Sequence, residues 1–259
     1  MTWNRKTPMM TGALVAATAA LAACSGEPPL TNEEAAPKII EQTMGKTPTE
    51  MLTAMASDFY PMFEIARGFG GERGEAWTEE RFNTELAASF APLSPQIDAA
   101  MAGYVAAQMD KGEGQALLDM LAEGRNAEFA QCAFAESEGN ASARVQACVD
   151  QVGGTPDEEF LGALADFRES INAALANEDK LNTAVGYATC GVLADFGEDV
   201  SRENLTLDLR TTEMGIGGKK LPCDQYDALA AEQLGEATKI TPNFAPEEGE
   251  EAAAAEAAE

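Results

Sequence analysis

Helix-starting sequences recur along the chain and constrain its fold more than any other feature. Thr47-Pro48-Thr49-Glu50 and Thr155-Pro156-Asp157-Glu158 share one pattern. In this pattern the threonine side chain accepts a hydrogen bond from the backbone N–H three residues later. The glutamate side chain accepts one from the threonine N–H, and proline takes the first helical position. Ser94-Pro95 is a shorter version of the same signal, so three helices are predicted to begin at these places.

Apolar side chains recur at helical spacing after two of these signals. One stripe comprises Phe160, Leu161, Leu164, Phe167, Ile171 and Leu175, with Glu159, Asp166 and Glu169 elsewhere around the helix. The other comprises Ile97, Met101, Tyr104 and Val105. Spacings of three and four residues place such side chains on one helix face. Both segments are therefore predicted to be amphipathic helices packed on one side.

The remaining sequence favours helices as well. They are predicted over 33–44, 49–67 with a break near Pro61, 78–91, 115–123, 127–137, 141–151, 178–196 and 223–234. Only residues 205–210 alternate as a strand does, and an isolated strand does not define a sheet. The chain is long enough to bury a sizeable core, so the predicted fold is an all-α single domain of about nine or ten helices over 32–244.

The predicted helix over 178–196 carries two different stripes. Large apolar residues lie on one face, at Leu181, Val185, Ala188, Val192 and Phe196. Small residues lie opposite, at Thr183, Gly186, Cys190, Ala194 and Gly197. Small side chains let another backbone approach closely. This helix is therefore predicted to be central and covered on both faces.

The first 23 residues have the layout of a secretory signal. Arg5 and Lys6 precede an apolar run over 11–23, which ends in small residues. A membrane-spanning helix needs about 20 apolar residues, and this run is too short. A basic start, a short apolar stretch and a small-residue cleavage zone are typical of an exported chain. Residues 1–23 are therefore interpreted as a signal peptide.

Leu21-Ala22-Ala23-Cys24 resembles the lipobox of bacterial lipoproteins. The resemblance is confined to the leader and implies that Cys24 is lipidated and becomes the first mature residue. It also implies sorting to the outer membrane, because Ser25 stands at the second mature position, with the domain facing the periplasm. In a host without an outer membrane the anchor would lie in the cell membrane. Plain cleavage after Ala22 is the alternative reading.

The two ends of the mature chain are predicted to be extended. Residues 24–31 include Pro28 and Pro29, which favour polyproline geometry, and form a lipidated tether in this reading. Residues 245–259 contain six Glu and no basic or large apolar residue. Such a segment cannot bury enough apolar surface to fold. We therefore expect a disordered acidic tail.

Lipidation of Cys24 leaves four of the five cysteines, an even number in an oxidising compartment. Three pairings are open. Cys132–Cys148 is preferred because it closes a hairpin of two short predicted helices, and Val145, Val149 and Val152 share a face with Cys148. Cys190–Cys223 follows by elimination. The glycine runs at 215–220 and 68–74 are interpreted as turns, the first positioning Cys223.

Composition excludes several functions. The chain has 17 Lys and Arg against 44 Asp and Glu, a net charge of −27, and loss of the leader makes it two charges more negative. Such a surface repels nucleic acid. There is no histidine, which removes Ser-His-Asp and Cys-His catalysis and His-based metal sites. No cofactor and no metal site are predicted.

One segment is a candidate apolar groove. Residues 51–70 concentrate methionine and aromatic residues, of which Met51, Met55, Phe59, Met62 and Phe63 are the candidate lining. Methionine-rich surfaces adapt to varied ligands. Helical apolar stripes more often face the core, so core packing is the competing interpretation.

Glu136-Ser137 and Glu169-Ser170 suggest an enzymatic alternative. In lytic transglycosylases of lysozyme-like fold, a glutamate within such a dipeptide is the acid and base that cleaves cell-wall glycan. The resemblance covers two residues only. The sequence therefore favours a membrane-anchored, non-catalytic module that binds an envelope protein or an apolar ligand, with glycan cleavage by Glu136 or Glu169 as the alternative.

Overall fold

The computed structural model describes residues 28–68, 71–135, 141–200, 212–216 and 219–235. The signal peptide, Cys24, the strand-like segment 205–210 and the acidic tail 245–259 lie outside these residues. None of the described helices combines the length and the apolar character that a membrane crossing requires.

Helices make up almost all of the described structure. The α-helices are α1 Asn32–Met44, α2 Pro48–Ser57, α3 Tyr60–Arg67, α4 Glu72–Glu75, α5 Glu79–Phe90, α6 Ser94–Gln108, α7 Glu113–Ala122, α8 Asn126–Phe134, α9 Ala141–Val152, α10 Glu158–Asn177, α11 Asp179–Val200 and α12 Tyr226–Gln233. Two 3₁₀ turns, Ala91–Leu93 and Cys223–Gln225, precede α6 and α12. Two short antiparallel strands, β1 Glu213–Met214 and β2 Leu221–Pro222, form the described sheet. The all-α class is confirmed.

Two helices organise the packing. Helix α1 contacts α6, α7 and α8, whereas α11 contacts α5, α6 and α12. Helix α6 packs against both α1 and α11 and also contacts α2 and α10. The buried apolar residues form one continuous core cluster that includes side chains from both groups. The domain is therefore one packed unit in which α6 joins the surroundings of α1 to those of α11.

The three predicted helix starts agree only in part with the structure. Thr47 forms the predicted capping box with Glu50, and Pro48 is the first residue of α2. Helix α10 is instead capped by Asp157, whose Oδ1 accepts a hydrogen bond from the N–H of Phe160 at 2.7 Å. Asp is as good a cap as Thr, and Asp157 lies two residues closer to the apolar stripe than Thr155. The helix therefore begins two residues later than predicted. Helix α6 continues directly from a 3₁₀ turn, and Ser94 provides no cap.

The end of the predicted tether belongs to the folded domain. The side chain of Leu30 packs against the core, and its backbone N–H donates to Gln115 Oε1 at 3.1 Å. Thr31 and Glu34 form a capping box at the start of α1. Extended geometry was expected throughout residues 24–31, but Leu30 supplies enough apolar surface to anchor the chain one residue before this cap.

Residues 48–75 form three helices where one interrupted helix and a turn were predicted. The interruption lies at Asp58 and Phe59, before Pro61, because proline is tolerated in the first turn of α3. The glycine run 68–74 overlaps α4. Gly74 within it is buried, and a Cβ there would lie 2.0 Å from the Arg67 carbonyl oxygen. That close approach, rather than a turn, requires glycine at position 74.

Helix α11 is covered on both faces, as predicted. The large apolar stripe is buried, and so is the small-residue stripe from Thr183 to Gly197. The ring of Tyr226 on α12 lies against Gly186, where a Cβ would be 2.0 Å from the ring carbon Cζ. The small stripe therefore lets α12 approach the backbone of α11.

A short hairpin and a disulfide complete this contact. The Tyr226 hydroxyl donates to the Met214 carbonyl at 2.6 Å, and Asn182 Oδ1 accepts from the Ile216 N–H at 2.9 Å. Burial raises the pKa of Tyr226, which keeps the hydroxyl protonated as a donor. Cys190 and Cys223 form the predicted disulfide, immediately after β2.

The second disulfide, Cys132–Cys148, joins α8 to α9. Cys148 is fully buried, Val152 is buried and Val149 packs against the core. Val145, predicted to share this face, is 42% exposed. It lies near the start of α9, in the turn before Cys148, and among the described side chains of α9 the first buried one is Cys148.

Replacement of Gly186 by alanine is expected to destabilise the protein. The added methyl group must displace the Tyr226 ring, and overpacking of a core costs about 1–3 kcal/mol. Urea unfolding with both disulfides intact would measure this loss. Gly191→Ala on the same helix is the matched control, because its Cβ would make only an ordinary contact with Ser89 Oγ at 3.9 Å. The control should be stabilising by up to about 1 kcal/mol through helix propensity. Equal effects of the two variants would contradict the close approach.

Candidate functional site

A cleft of about 270 Å³ lies between α1, the start of α2 and α6. Its lining residues are Pro37, Ile40, Glu41, Lys46, Thr47, Pro48, Asp98 and Ala102. Helix α1 supplies one wall, the Lys46–Pro48 connection closes one end, and α6 supplies the opposite wall. This cleft is the candidate functional site, and we call it the α1–α6 cleft.

The apolar surface of the α1–α6 cleft is rigid. Ile40 is 1% exposed and fixed in the core, and Pro48 is buried at the first position of α2. Pro37 lies inside α1, where proline removes the N–H that would bind the Glu33 carbonyl and costs about 3 kcal/mol. Proline side chains have almost no rotamer entropy to lose when they are covered. The cleft therefore presents preformed apolar walls, as small-molecule sites usually do.

One carboxylate of the cleft is fixed in place. Asp98 Oδ1 accepts hydrogen bonds from the Thr49 backbone N–H at 3.1 Å and from Thr49 Oγ1 at 3.0 Å. Thr49 is itself buried in the first turn of α2. The second oxygen, Asp98 Oδ2, accepts no hydrogen bond from the described residues. Asp98 thus offers an oriented acceptor with one oxygen available.

Two further charges border the cleft. Glu41 and Lys46 are exposed on either side of Gly45, which ends α1 in the left-handed conformation at φ 61°. In the described part of the chain, neither of them, nor Asp98, has an ion-pair partner within 4.0 Å. The cleft therefore combines an apolar floor with separated charges of both signs.

A second, more open cleft of about 580 Å³ lies at the other end of α1. Its lining residues are Thr31, Asn32, Glu33, Gly103, Ala106, Ala107, Met109, Lys111 and Gly112. Asn32 joins the start of α1 to the connection between α6 and α7. Its Nδ2 donates to the carbonyls of Met109 and Asp110, and its Oδ1 accepts from the Gly114 N–H. This cleft lies where the chain enters the domain from the predicted tether.

A carboxylate cluster lies near the C-terminal end of α11. Burial raises the pKa of Asp195, and the negative charges of Glu85, Glu198 and Asp199 raise it further, while Arg81 opposes them. Acidic residues at a helix C-terminus also face the negative end of the helix dipole. The cluster is therefore an electrostatic cost that the fold tolerates.

Asp199 ties this cluster to an aromatic group. It accepts hydrogen bonds from Trp77 Nε1 at 3.0 Å and from Arg81 Nη2 at 2.6 Å, and the Arg81 guanidinium lies 4.1 Å from the Trp77 ring centroid. The Trp77 ring packs edge-on against Phe196. These contacts serve packing. Across the described ranges, no three acidic or cysteine side chains converge as a metal ion would require.

The candidate groove residues are split between core and surface. Met51 and Phe63 are buried, whereas Met55 and Phe59 are half-buried against the core. Met62 is 53% exposed on α3, next to Ile65 at 73%. None of these residues lines either of the two clefts, so the groove stays a prediction.

Of the two glutamates of the enzymatic alternative, only Glu169 lies within the described residues, and Glu136 lies outside them. Glu169 is exposed on α10, on the face away from the buried stripe, as its place in the sequence predicted. Neither of the two clefts includes Glu169, and glycan cleavage stays a prediction.

The α1–α6 cleft was missed by the sequence analysis. Asp98 and Thr49 are 49 residues apart, and no local pattern joins them. One signal was available: Pro37 stands inside the predicted helix 33–44, where proline is unfavourable without a special reason.

Replacement of Asp195 by asparagine is expected to stabilise the protein at neutral pH. Because the pKa of Asp195 is raised, the folded state holds this proton more tightly than the unfolded state. Wild-type stability therefore falls as the pH rises from the usual Asp value through the raised value, and the cost is complete above it. Denaturant unfolding at a series of pH values should show a gain for the variant that disappears in acid. The exposed Asp166→Asn is the control, and a gain independent of pH would contradict this account.

Comparison with known proteins leaves the chain without a relative on which to base its function. No protein-family model, no curated protein and no solved structure matches it. Any functional assignment therefore depends on the residues of this chain.

Proposed function

We propose that this protein is a lipoprotein of the bacterial envelope, anchored through Cys24 and facing the periplasm, whose domain binds a small ligand without catalysis. The α1–α6 cleft is the observation on which the binding role depends. The order of the leader and the resemblance of residues 21–24 to a lipobox support the anchor. Two disulfides support an oxidising compartment.

The geometry of the first described residues supports a short tether. Leu30 is held by Gln115 and by the core, so the folded domain begins six residues after Cys24. Six extended residues span roughly 20 Å. Two acyl chains on Cys24 suffice for stable attachment, since each buried methylene contributes about 0.8 kcal/mol. In this proposal the start of α1 is the membrane-proximal end of the domain.

The α1–α6 cleft supports a binding role through its rigidity. Ligand affinity is reduced by the ordering of side chains, and Pro37, Pro48 and Ile40 require none. The polar groups are few, as in most small-molecule sites. A preformed apolar floor with a few charges at its edge is suited to binding a ligand that has both an apolar body and polar ends.

Loss of Cys24 should release the protein from the membrane. In cells grown with alkynyl palmitate, Cys24→Ala is expected to lose the label and to move to the soluble periplasmic fraction. The double variant Cys132→Ala/Cys148→Ala is the control for general loss of cysteine and should stay labelled and membrane-bound. A wild-type protein that is unlabelled and begins at Ala23 would contradict the anchor and favour plain cleavage after Ala22.

Filling the cleft should abolish ligand binding. Ala102→Leu on α6 would place a larger side chain against the cleft and keep good helix propensity. We expect wild type to show a thermal shift with small apolar amides or amino acids and Ala102→Leu to show at least tenfold weaker binding. Ala99→Leu, on the exposed side of the same helix, is the matched control and should bind as wild type does. Equal binding by both variants would place the ligand elsewhere.

A further inference from the structure

We infer that the ligand of the α1–α6 cleft is a single apolar α-amino acid in its zwitterionic form, with its ammonium group on Asp98 and Glu41 and its carboxylate on Lys46. This inference rests on the proposed binding function and specifies the class of ligand. It follows from the size of the cleft and from the placement of its charges.

The size of the cleft limits the ligand. Its volume of about 270 Å³ lies just below that of pockets for drug-sized molecules, which is typically about 300–1,000 Å³. A cleft of this size has room for a molecule as small as a branched aliphatic amino acid. Its side chain would lie on the apolar lining of the cleft, in which Pro37 and Ala102 have exposed surface.

The ammonium end has a preoriented acceptor. Thr49 fixes the Asp98 carboxylate through two hydrogen bonds to Oδ1, and Oδ2 has no hydrogen-bond donor among the described residues. A carboxylate whose orientation is fixed loses little entropy when it binds a cation. Glu41 lines the same cleft and adds a second negative charge. A ligand ammonium group placed here would form charge-assisted hydrogen bonds, which are the stronger kind.

Lys46 provides the positive charge that would bind the carboxylate of the ligand. Most of the described arginines are engaged, as Arg81 is with Asp199 and Arg125 with Glu128, and Lys219 contacts Asp179. Lys46 lines the cleft without an ion-pair partner in the described part of the chain. Lys38, Lys111, Lys180 and Lys220 also have no ion pair in the described part of the chain, but Lys46 lines the same cleft as Asp98 and Glu41, and a ligand carboxylate would neutralise its charge.

Charge explains why the zwitterion is preferred to simpler ions. The net charge of −27 repels an anion that has no ammonium group, and a plain cation leaves Lys46 unsatisfied and repelled. Only a ligand with both charges satisfies Asp98 and Lys46 together. Selectivity of this kind comes from the penalty on the wrong ligand as much as from attraction to the right one.

The test compares four ligands of one shape by isothermal titration calorimetry. L-leucine carries both charges, isopentylamine only the ammonium group, 4-methylpentanoate only the carboxylate, and 4-methylpentanamide neither. The protein is the full mature chain purified in detergent. We expect leucine to bind at least tenfold more tightly than each of the other three, since one hydrogen bond to a charged group is worth about a factor of ten or more.

Variants that remove one charge from the cleft then show which residue binds each charged group of the ligand. Lys46→Met should weaken leucine at least tenfold and leave isopentylamine unchanged or tighter. Asp98→Asn, which keeps an oxygen for Thr49, should weaken leucine and isopentylamine but not 4-methylpentanoate. Lys38→Met is the matched control, because Lys38 is exposed on α1 outside the cleft lining, and it should change nothing.

The outcomes separate this inference from the binding function. If 4-methylpentanamide binds as tightly as leucine, the cleft takes apolar ligands without regard to charge, and only the zwitterion inference is overturned. If isopentylamine binds as tightly as leucine, the ligand class is a cation and the inference is again wrong. If none of the four binds wild type, the zwitterion inference is overturned, and the binding function fails with it when small apolar amides and amino acids also give no thermal shift.

Discussion

The contact between Tyr226 and Gly186 is the constraint on which the rest of the fold depends. Helix α11 can be covered on both faces only because residue 186 has no side chain, so that the Tyr226 ring lies directly on the helix backbone. The tyrosine hydroxyl then donates to Met214, and Cys223 reaches Cys190. One missing Cβ thereby brings together a helix, a hairpin and a disulfide that are far apart in sequence.

This central packing also places the candidate site. Helix α6 packs on α11 and on α1, so its register is set by buried residues such as Ile97, Met101 and Val105. Asp98 and Ala102 each follow one of these buried residues by one position and therefore lie beside the core-facing stripe, at the α1–α6 cleft. The walls of the cleft are thus fixed by the core, and its charges stand on rigid helices.

Local chemistry was readable from the sequence, and long-range geometry was not. The buried stripe of α10, the two faces of α11 and both disulfides were predicted because periodicity and cysteine parity act within one segment or follow by elimination. The cap at Asp157 was misplaced by two residues because two good caps compete there. The hydrogen bonds between Asp98 and Thr49 could not be predicted, since they depend on how α2 and α6 pack.

The place where the chain enters the domain affects which molecules can reach the α1–α6 cleft. Helix α1 has 13 residues, which span about 20 Å at 1.5 Å for each residue. The open cleft near Thr31 lies at the end where the tether enters, and the α1–α6 cleft with Lys46 lies beside the second half of α1 and the connection that follows it. If Cys24 is anchored as proposed, the α1–α6 cleft lies farther along α1 from the anchor than the open cleft does. That placement is compatible with a small, water-soluble zwitterion as its ligand.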